Sequence, residues 1–124
     1  MITGIGVDIV QINRMERWLD DEKLLERFFH PKELLLSSAR KNSKSQALAA
    51  RFAAKEAFGK ALGTGLAQIS LKDIMIYNDD NGKPELKLFG SAQEAFEKSG
   101  AAKAHVSLSH EKENAIAMII LEKV

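Results

Sequence analysis

The chain of 124 residues contains no cysteine. That absence excludes a disulfide scaffold, a thiolate metal site and a cysteine nucleophile. No apolar run approaches the roughly 20 residues of a membrane-spanning helix. The opening Met1-Ile2-Thr3-Gly4 also lacks a basic segment followed by an apolar one, so the expected location is the cytoplasm. Neither sign of charge dominates: 18 basic and 17 acidic residues give a net charge of +1, a balance that argues against a general nucleic-acid binder. Neither a P-loop nor a Rossmann glycine pattern is present, so a generic nucleotide fold is not indicated. Internal repeats and low-complexity tracts are missing as well. The 45% apolar and 28% charged shares are those of a soluble globular protein. The length predicts one domain over 1–124, small enough for a partner chain to complete its core.

The balanced total hides an uneven distribution. From Arg40 to Lys60 six basic residues (Arg40, Lys41, Lys44, Arg51, Lys55, Lys60) face one acid, Glu56, and all five arginines fall at or before Arg51. A local basic field of this kind suits phosphate-bearing ligands; a solvated loop over 40–44 is the plainer alternative.

Within that region lies a helix, opened by a capping box of Ser43 and Gln46 and ended at Gly63-Thr64-Gly65. Wound at 100° per residue, it places Leu48, Phe52, Phe58 and Leu62 on one side and Ala49, Ala53, Ala54, Ala57 and Ala61 on the other. A helix apolar nearly all round lies inside a domain or an interface. Arg51, Lys55, Glu56 and Lys60 therefore need internal partners or a ligand, because an unpaired buried charge costs several kcal/mol or so. Glu56 and Lys60 stand one turn apart, either as a helix-stabilising salt bridge or as an acid and a base offered together. The glycines after the helix leave backbone N–H groups expected to be free for close approach.

Residues 2–10 read as a strand, with Ile5, Val7 and Ile9 on one face and Gly4, Gly6, Asp8 and Val10 on the other. Aspartate is disfavoured inside strands, and here a neighbouring glycine admits another backbone or a ligand. Asp8 either pairs with a buried arginine or serves a site. Asn13 with Glu16 forms a capping box for the next helix, stapled by Ile12. On that helix Arg14 and Arg17 lie beside Met15 and Trp18, a docking face for an acidic partner or an ordinary amphipathic surface. Short helices follow over 23–29 and from Pro31 to residue 36.

After Gly65 the pattern changes to strands over 74–77 and 85–88, joined by a loop with an Asn81-Gly82 turn signal. Its acids do not make an EF-hand, because Tyr77 stands five residues before Gly82 where that pattern needs an acid. A short helix over 91–99 precedes strands over 104–109 and 115–121, the last apolar on both faces and so central. His110 leaves the first of these strands, a position from which a rigid sheet presents functional groups.

Asp8 and Glu56 are hard carboxylates on different elements, with Lys60 one turn beyond Glu56. Such a set, with no histidine or cysteine cluster, suits Mg²⁺, which keeps waters and takes substrate phosphate oxygens. A bridging pyrophosphate would pair with the metal and Lys60, and Arg51 or its basic neighbours would hold a further phosphate. The residues alone indicate a Mg²⁺-dependent enzyme acting on a pyrophosphate-containing small molecule.

Four stretches carry a closer likeness. Gly4-Ile5-Gly6-Val7-Asp8-Ile9-Val10, Arg51-Phe52-Ala53-Ala54-Lys55-Glu56-Ala57-Phe58-Gly59-Lys60-Ala61, Asn81-Gly82-Lys83-Pro84 and Val106-Ser107-Leu108-Ser109-His110 occur in the order found in the short 4′-phosphopantetheinyl transferases. The whole chain resembles that family, the holo-[acyl-carrier-protein] synthases; it differs in carrying Glu111 where some members have Asp or Thr. The resemblance implies an α+β fold with an antiparallel sheet packed by helices. It implies transfer of 4′-phosphopantetheine from coenzyme A to a serine of apo acyl carrier protein, for fatty acid biosynthesis. Mg²⁺ would sit on Asp8 and Glu56, and Lys60 would neutralise the pyrophosphate. The serine's base would be Glu56 or a metal-bound water. Arg51, Gly63, Thr64, Asn81, Pro84 and His110 would line the coenzyme site, and Arg14, Met15 and Arg17 would meet the acidic carrier. The family forms homotrimers with active sites between protomers. Two other classes fit the residues without the resemblance: a Mg²⁺-dependent phosphohydrolase, and a non-catalytic coenzyme A or nucleotide-binding module.

Overall fold

A computed structural model describes residues 1–36 and 41–124 of the chain. Strand β1 (Ile2–Gln11) runs into α1 (Ile12–Trp18), followed by α2 (Glu22–Phe28), α3 (Pro31–Leu36) and the long α4 (Lys41–Leu62). A single 3-10 turn (Leu71–Asp73) leads to β2 (Ile74–Asn78) and β3 (Pro84–Leu88), then α5 (Gly90–Lys98), β4 (Lys103–His110) and β5 (Asn114–Glu122). The strands form an antiparallel three-stranded sheet in the order β1-β5-β4 and a separate β2-β3 hairpin. This is an α+β fold, with β5 central as its two apolar faces require.

Helix α4 crosses one face of the larger sheet, and the sequence permits it to lie very close. Added Cβ atoms at Gly4 and Gly6 would overlap the carbonyl oxygens of Ala61 and Ala57. Strand backbone thus meets helix backbone, with Ala53, Ala54 and Ala57 fully buried at the contact. Val10 on β1 and Ala115, Ala117, Ile119 and Leu121 on β5 complete this layer, while Leu48, Phe58, Ile74 and Ile76 fill the space toward the hairpin. The opposite face of the sheet stays apolar yet open: Ile5, Val7 and Ile9 are 60%, 45% and 62% exposed, beside Ile116 and Met118 at 40% and 44%.

Of the charged residues in the 51–60 stretch of α4, Lys55 and Arg51 are buried and find internal partners. Lys55 and Glu33 are both fully buried, 2.6 Å apart. Lys55 Nζ also donates to the carbonyls of Leu71 and Ile74 at 2.9 and 2.6 Å, and Glu33 accepts from the backbone N–H groups of His30 and Ile76 at 2.9 and 3.1 Å. Arg51 donates from Nε to the Ile76 carbonyl at 3.2 Å and from Nη1 to that of Ala47 at 3.3 Å. Among the described residues no buried side-chain nitrogen or oxygen lacks a partner.

Both expected capping boxes are displaced. The α1 helix begins at Ile12 directly from β1, without a side-chain cap, because the Ile12 N–H already donates to the Glu113 carbonyl at 2.8 Å. Asn13 is an exposed residue within the helix. Ser43 likewise lies inside α4, which is already helical at Lys41. Arg40 and the Lys41 side chain of the basic run lie outside what is described.

Candidate active site

The glycine-lined contact between β1 and α4 carries charged groups at its open end. Asp8 follows Gly6 on the helix-facing side of β1, and Glu56 and Lys60 project from successive turns of α4. Lys60 reaches across to the strand rather than along its own helix: Nζ donates to Asp8 Oδ1 and to the Val7 carbonyl, each at 3.0 Å. Its side chain remains 55% exposed against 19% for Asp8, so the ammonium stands at the rim of the site.

Glu56 is half-buried beside this pair. Burial raises its pKa, and the Asp8 charge raises it further; Arg14 and Lys60 act in the opposite sense. Four charged groups from β1, α1 and α4 therefore share one field, in which the Asp8 charge opposes the ionisation of Glu56. A cavity of about 440 Å³ opens against Glu56, walled by Phe28, Leu66, Ile69 and Leu71 with Arg27 and Lys72 also lining it. A larger-sided groove of about 470 Å³ lies across the 63–70 loop, between Leu62, Thr64 and Ile69 and the Ser91 and Ala95 face of α5.

The remaining expected residues divide. Arg14 and Arg17 are exposed, and the Arg14 guanidinium lies over the rings of Trp18 and Phe52 at 4.9 and 5.4 Å. Met15 is fully buried and is withdrawn from the docking face: with Ile12 it forms the inward stripe of α1, an i,i+3 signal already present in the sequence. Arg51 points away from the carboxylates into the β2 backbone, with only 8% exposure. The N–H groups of Gly63 and Gly65 are not free either. They close the helix end on the Lys60 and Gly59 carbonyls at 3.1 Å, with φ values of 81° and 71° that favour glycine. Thr64 is exposed between them.

Asn81 sits at the tip of the β2-β3 hairpin, its N–H held by Asp79 Oδ1 at 2.8 Å. Pro84 begins β3, and His110 ends β4. Among the described residues no hydrogen bond or ion pair joins Asn81, Pro84 or His110 to the carboxylates. Glu111 shapes the β4-β5 turn, where Oε1 accepts from the Glu113 and Asn114 N–H groups at 3.0 and 2.6 Å and from Asn114 Nδ2 at 3.0 Å. The Trp18–Phe28–Phe52 cluster, which brings α1, α2 and α4 together, has no signal in the sequence pattern.

A carboxylate pair and a half-exposed lysine thus meet at the strand–helix junction, and comparison with known proteins gives the class of the chain. The family model for the 4′-phosphopantetheinyl transferase superfamily matches residues 4–119. Holo-[acyl-carrier-protein] synthase of Treponema denticola is 55% identical over 122 residues, spanning 98% of this chain and 99% of the relative. That of Trichlorobacter lovleyi is 53% identical over 125 residues, spanning 98% of each. The crystal structure of holo-[acyl-carrier-protein] synthase from Neisseria meningitidis superposes with a TM-score of 0.88 at 36% identity, covering 99% of this chain and 100% of that one. The Bacillus anthracis synthase in complex with CoA (3′,5′-ADP) gives 0.81 at 38% identity over 100% and 99%. The chain belongs to the 4′-phosphopantetheinyl transferase superfamily, among its holo-[acyl-carrier-protein] synthases, and is accordingly an enzyme.

Proposed function

We propose that this enzyme transfers 4′-phosphopantetheine from coenzyme A to a serine of apo acyl carrier protein, releasing adenosine 3′,5′-bisphosphate, as a step of fatty acid biosynthesis in the cytoplasm. The single 1–124 domain would carry the whole activity. The observation that supports this most directly is the convergence of Asp8, Glu56 and Lys60 in a member of this family. In the reaction the serine oxygen forms a bond to the phosphorus that bears pantetheine, the bond from that phosphorus to the oxygen of the nucleotide phosphate breaks, and the serine proton passes to a base. Glu56, whose proton affinity is raised, is the group of this chain suited to accept it. Lys60 offers an exposed ammonium to the pyrophosphate, and positioning with electrostatic stabilisation accounts for most of catalysis of this kind.

The donor set fits Mg²⁺. Asp8 and Glu56 supply hard oxygens on two elements, and their mutual repulsion is only partly offset by Lys60 and Arg14. When bound, the ion supplies electrostatic stabilisation of charge on the phosphate oxygens. Because Glu56 holds its proton above the ordinary carboxylate range, Mg²⁺ and protons compete there. Calorimetric affinity for Mg²⁺ is expected to fall as pH is lowered through the raised range in which Glu56 takes up its proton, by up to about tenfold per unit for each proton displaced. An affinity that does not fall even well below the ordinary carboxylate range would remove Glu56 from the ligand set.

A homotrimer with sites between protomers accounts for two further features. It would cover the apolar outer face of Ile5, Val7, Ile9, Ile116 and Met118, and it would let a neighbouring protomer bring Asn81, Pro84 or His110 to carboxylates they do not meet within one chain. Sedimentation equilibrium should give three copies for the wild type and one for Ile9→Lys. A monomeric wild type would refute the assembly.

The reading is tested by intact mass of apo acyl carrier protein after incubation with the enzyme, coenzyme A and Mg²⁺, with a chelator control. The expected result is a gain of one phosphopantetheine that the chelator prevents. Consumption of coenzyme A without mass gain would instead establish a hydrolase.

A further inference from the structure

Trp18 is the chain's only tryptophan, and it is half-buried at the end of α1. Its ring centre lies 5.3 Å from Phe28 of α2 and 5.3 Å from Phe52 of α4, edge-on to the latter, and the two phenylalanines are 5.6 Å apart. Three helices thus contribute one ring each to a small platform. The Arg14 guanidinium rests on it, in contact with both Trp18 and Phe52. The spacing is economical: Arg14 and Trp18 are i,i+4 on α1, and Phe52 and Glu56 are i,i+4 on α4. Stacking on Phe52 therefore seats the cation on the ring one helical turn before Glu56.

An arginine in water samples many rotamers, and a partner that binds it must restrict them. Here two ring faces have already done so. The stack does not consume the donors, because a guanidinium on a ring keeps its in-plane N–H groups for a carboxylate or phosphate. Among the described residues no ion pair joins Arg14, and Arg17, one turn away, has no ring beneath it.

We propose that Trp18 is a positioning residue for carrier recognition: seated on Phe28 and Phe52, its indole holds the Arg14 guanidinium ordered beside the carboxylate site, ready for an acidic protein partner. The inference rests on the transfer reading above and assigns to Trp18 an effect exerted through Arg14.

A double-mutant cycle tests it, with Arg14→Ala, Trp18→Ala and the double variant measured for transfer to apo acyl carrier protein. Trp18→Ala is expected to raise the carrier KM about two- to fivefold, the scale of an exposed cation–π contact, with the coenzyme A KM unmoved. In the Arg14→Ala background the same change should add nothing. Trp18→Phe, which keeps a ring, should recover part of the loss. Additive effects in an active wild type would overturn the proposal, since Trp18 would then contact the carrier itself or merely support the fold. An inactive wild type would instead refute the transfer reading. The ring contact has its own readout: the Arg14 Nε–H resonance should be displaced by ring current in the wild type and return toward that of free arginine in Trp18→Ala. An undisplaced wild-type resonance would overturn the proposal whatever the activity.

Discussion

Glu56→Gln is expected to lower the rate of phosphopantetheine transfer by about 10³-fold or more, because on the proposed mechanism one substitution would remove a proton acceptor and an oxygen ligand for the cation together. The same substitution should leave the fold intact, and the physical sign goes further. Burial and the Asp8 charge raise the Glu56 pKa above its unfolded value. Ionised Glu56 therefore weakens the metal-free fold: the stability present while it is protonated is lost as pH rises through the window between its unfolded and folded values. Glutamine is neutral at all pH, so the variant should melt at or above the wild-type temperature at pH 7.5 without Mg²⁺. A dead and equally or more stable enzyme is the signature of a residue kept for chemistry. Asp8→Asn should be as inactive but without the gain, since the ammonium of Lys60 would lose the charge of its 3.0 Å partner. Unfolding of the Glu56 variant, or transfer within tenfold of wild type, would place Glu56 in the structure rather than in the reaction.

The residues that could be read in advance are those whose local pattern was itself anomalous. Asp8 among glycines in a strand points to the close approach of another backbone or a ligand, and charges on a helix apolar all round point to internal partners or a ligand; that the strand and this helix are each other's neighbours is not in either pattern. The contact exists because Gly4 and Gly6 admit the α4 backbone, and strand alternation correctly separated the helix-facing side from the open one. What stayed hidden depends on distance along the chain. Glu33 looks like an ordinary acid in the first turn of a short helix, where the dipole favours it, and nothing in the sequence points to Lys55, 22 residues on. Lys60 chose Asp8 over its i,i+4 neighbour Glu56 because the close approach of β1 put a carboxylate nearer than the helix could. Met15 was placed on the wrong side of α1 by its neighbours' charges rather than by its own i,i+3 relation to Ile12. Asn81, Pro84 and His110 meet neither carboxylate among the described residues, and on the proposed assembly a neighbouring protomer would bring them there.

The Glu33–Lys55 pair should give the largest change in stability. Both groups are fully buried at 2.6 Å, bonded also to the backbone of residues 30, 71, 74 and 76, so they fasten α3, α4 and the start of the hairpin to one another. Burial lowers the Lys55 pKa to about 8, and the attraction of Glu33 only partly opposes that shift. Desolvation thus outweighs the pairing, and the charged lysine weakens the fold at neutral pH relative to a neutral one. The sign follows: between about 8 and 10.5 the unfolded chain holds more protons at this group, so its contribution to stability rises with pH across that window. Two different outcomes are therefore expected from two kinds of substitution. Lys55→Met leaves Glu33 buried and uncompensated and should cost about 3–5 kcal/mol, a fall in melting temperature of about 10–20 °C for a chain of this size. Glu33→Gln with Lys55→Met removes both charges and should recover most of that loss, because an apolar stem and an amide fill the same space without desolvating an ion. Urea unfolding of the single and double variants measures the difference. A double variant that stays as unstable as Lys55→Met alone would mean that the ion pair is a net stabilising bond; a single variant close to wild type would mean that water reaches Glu33 after all.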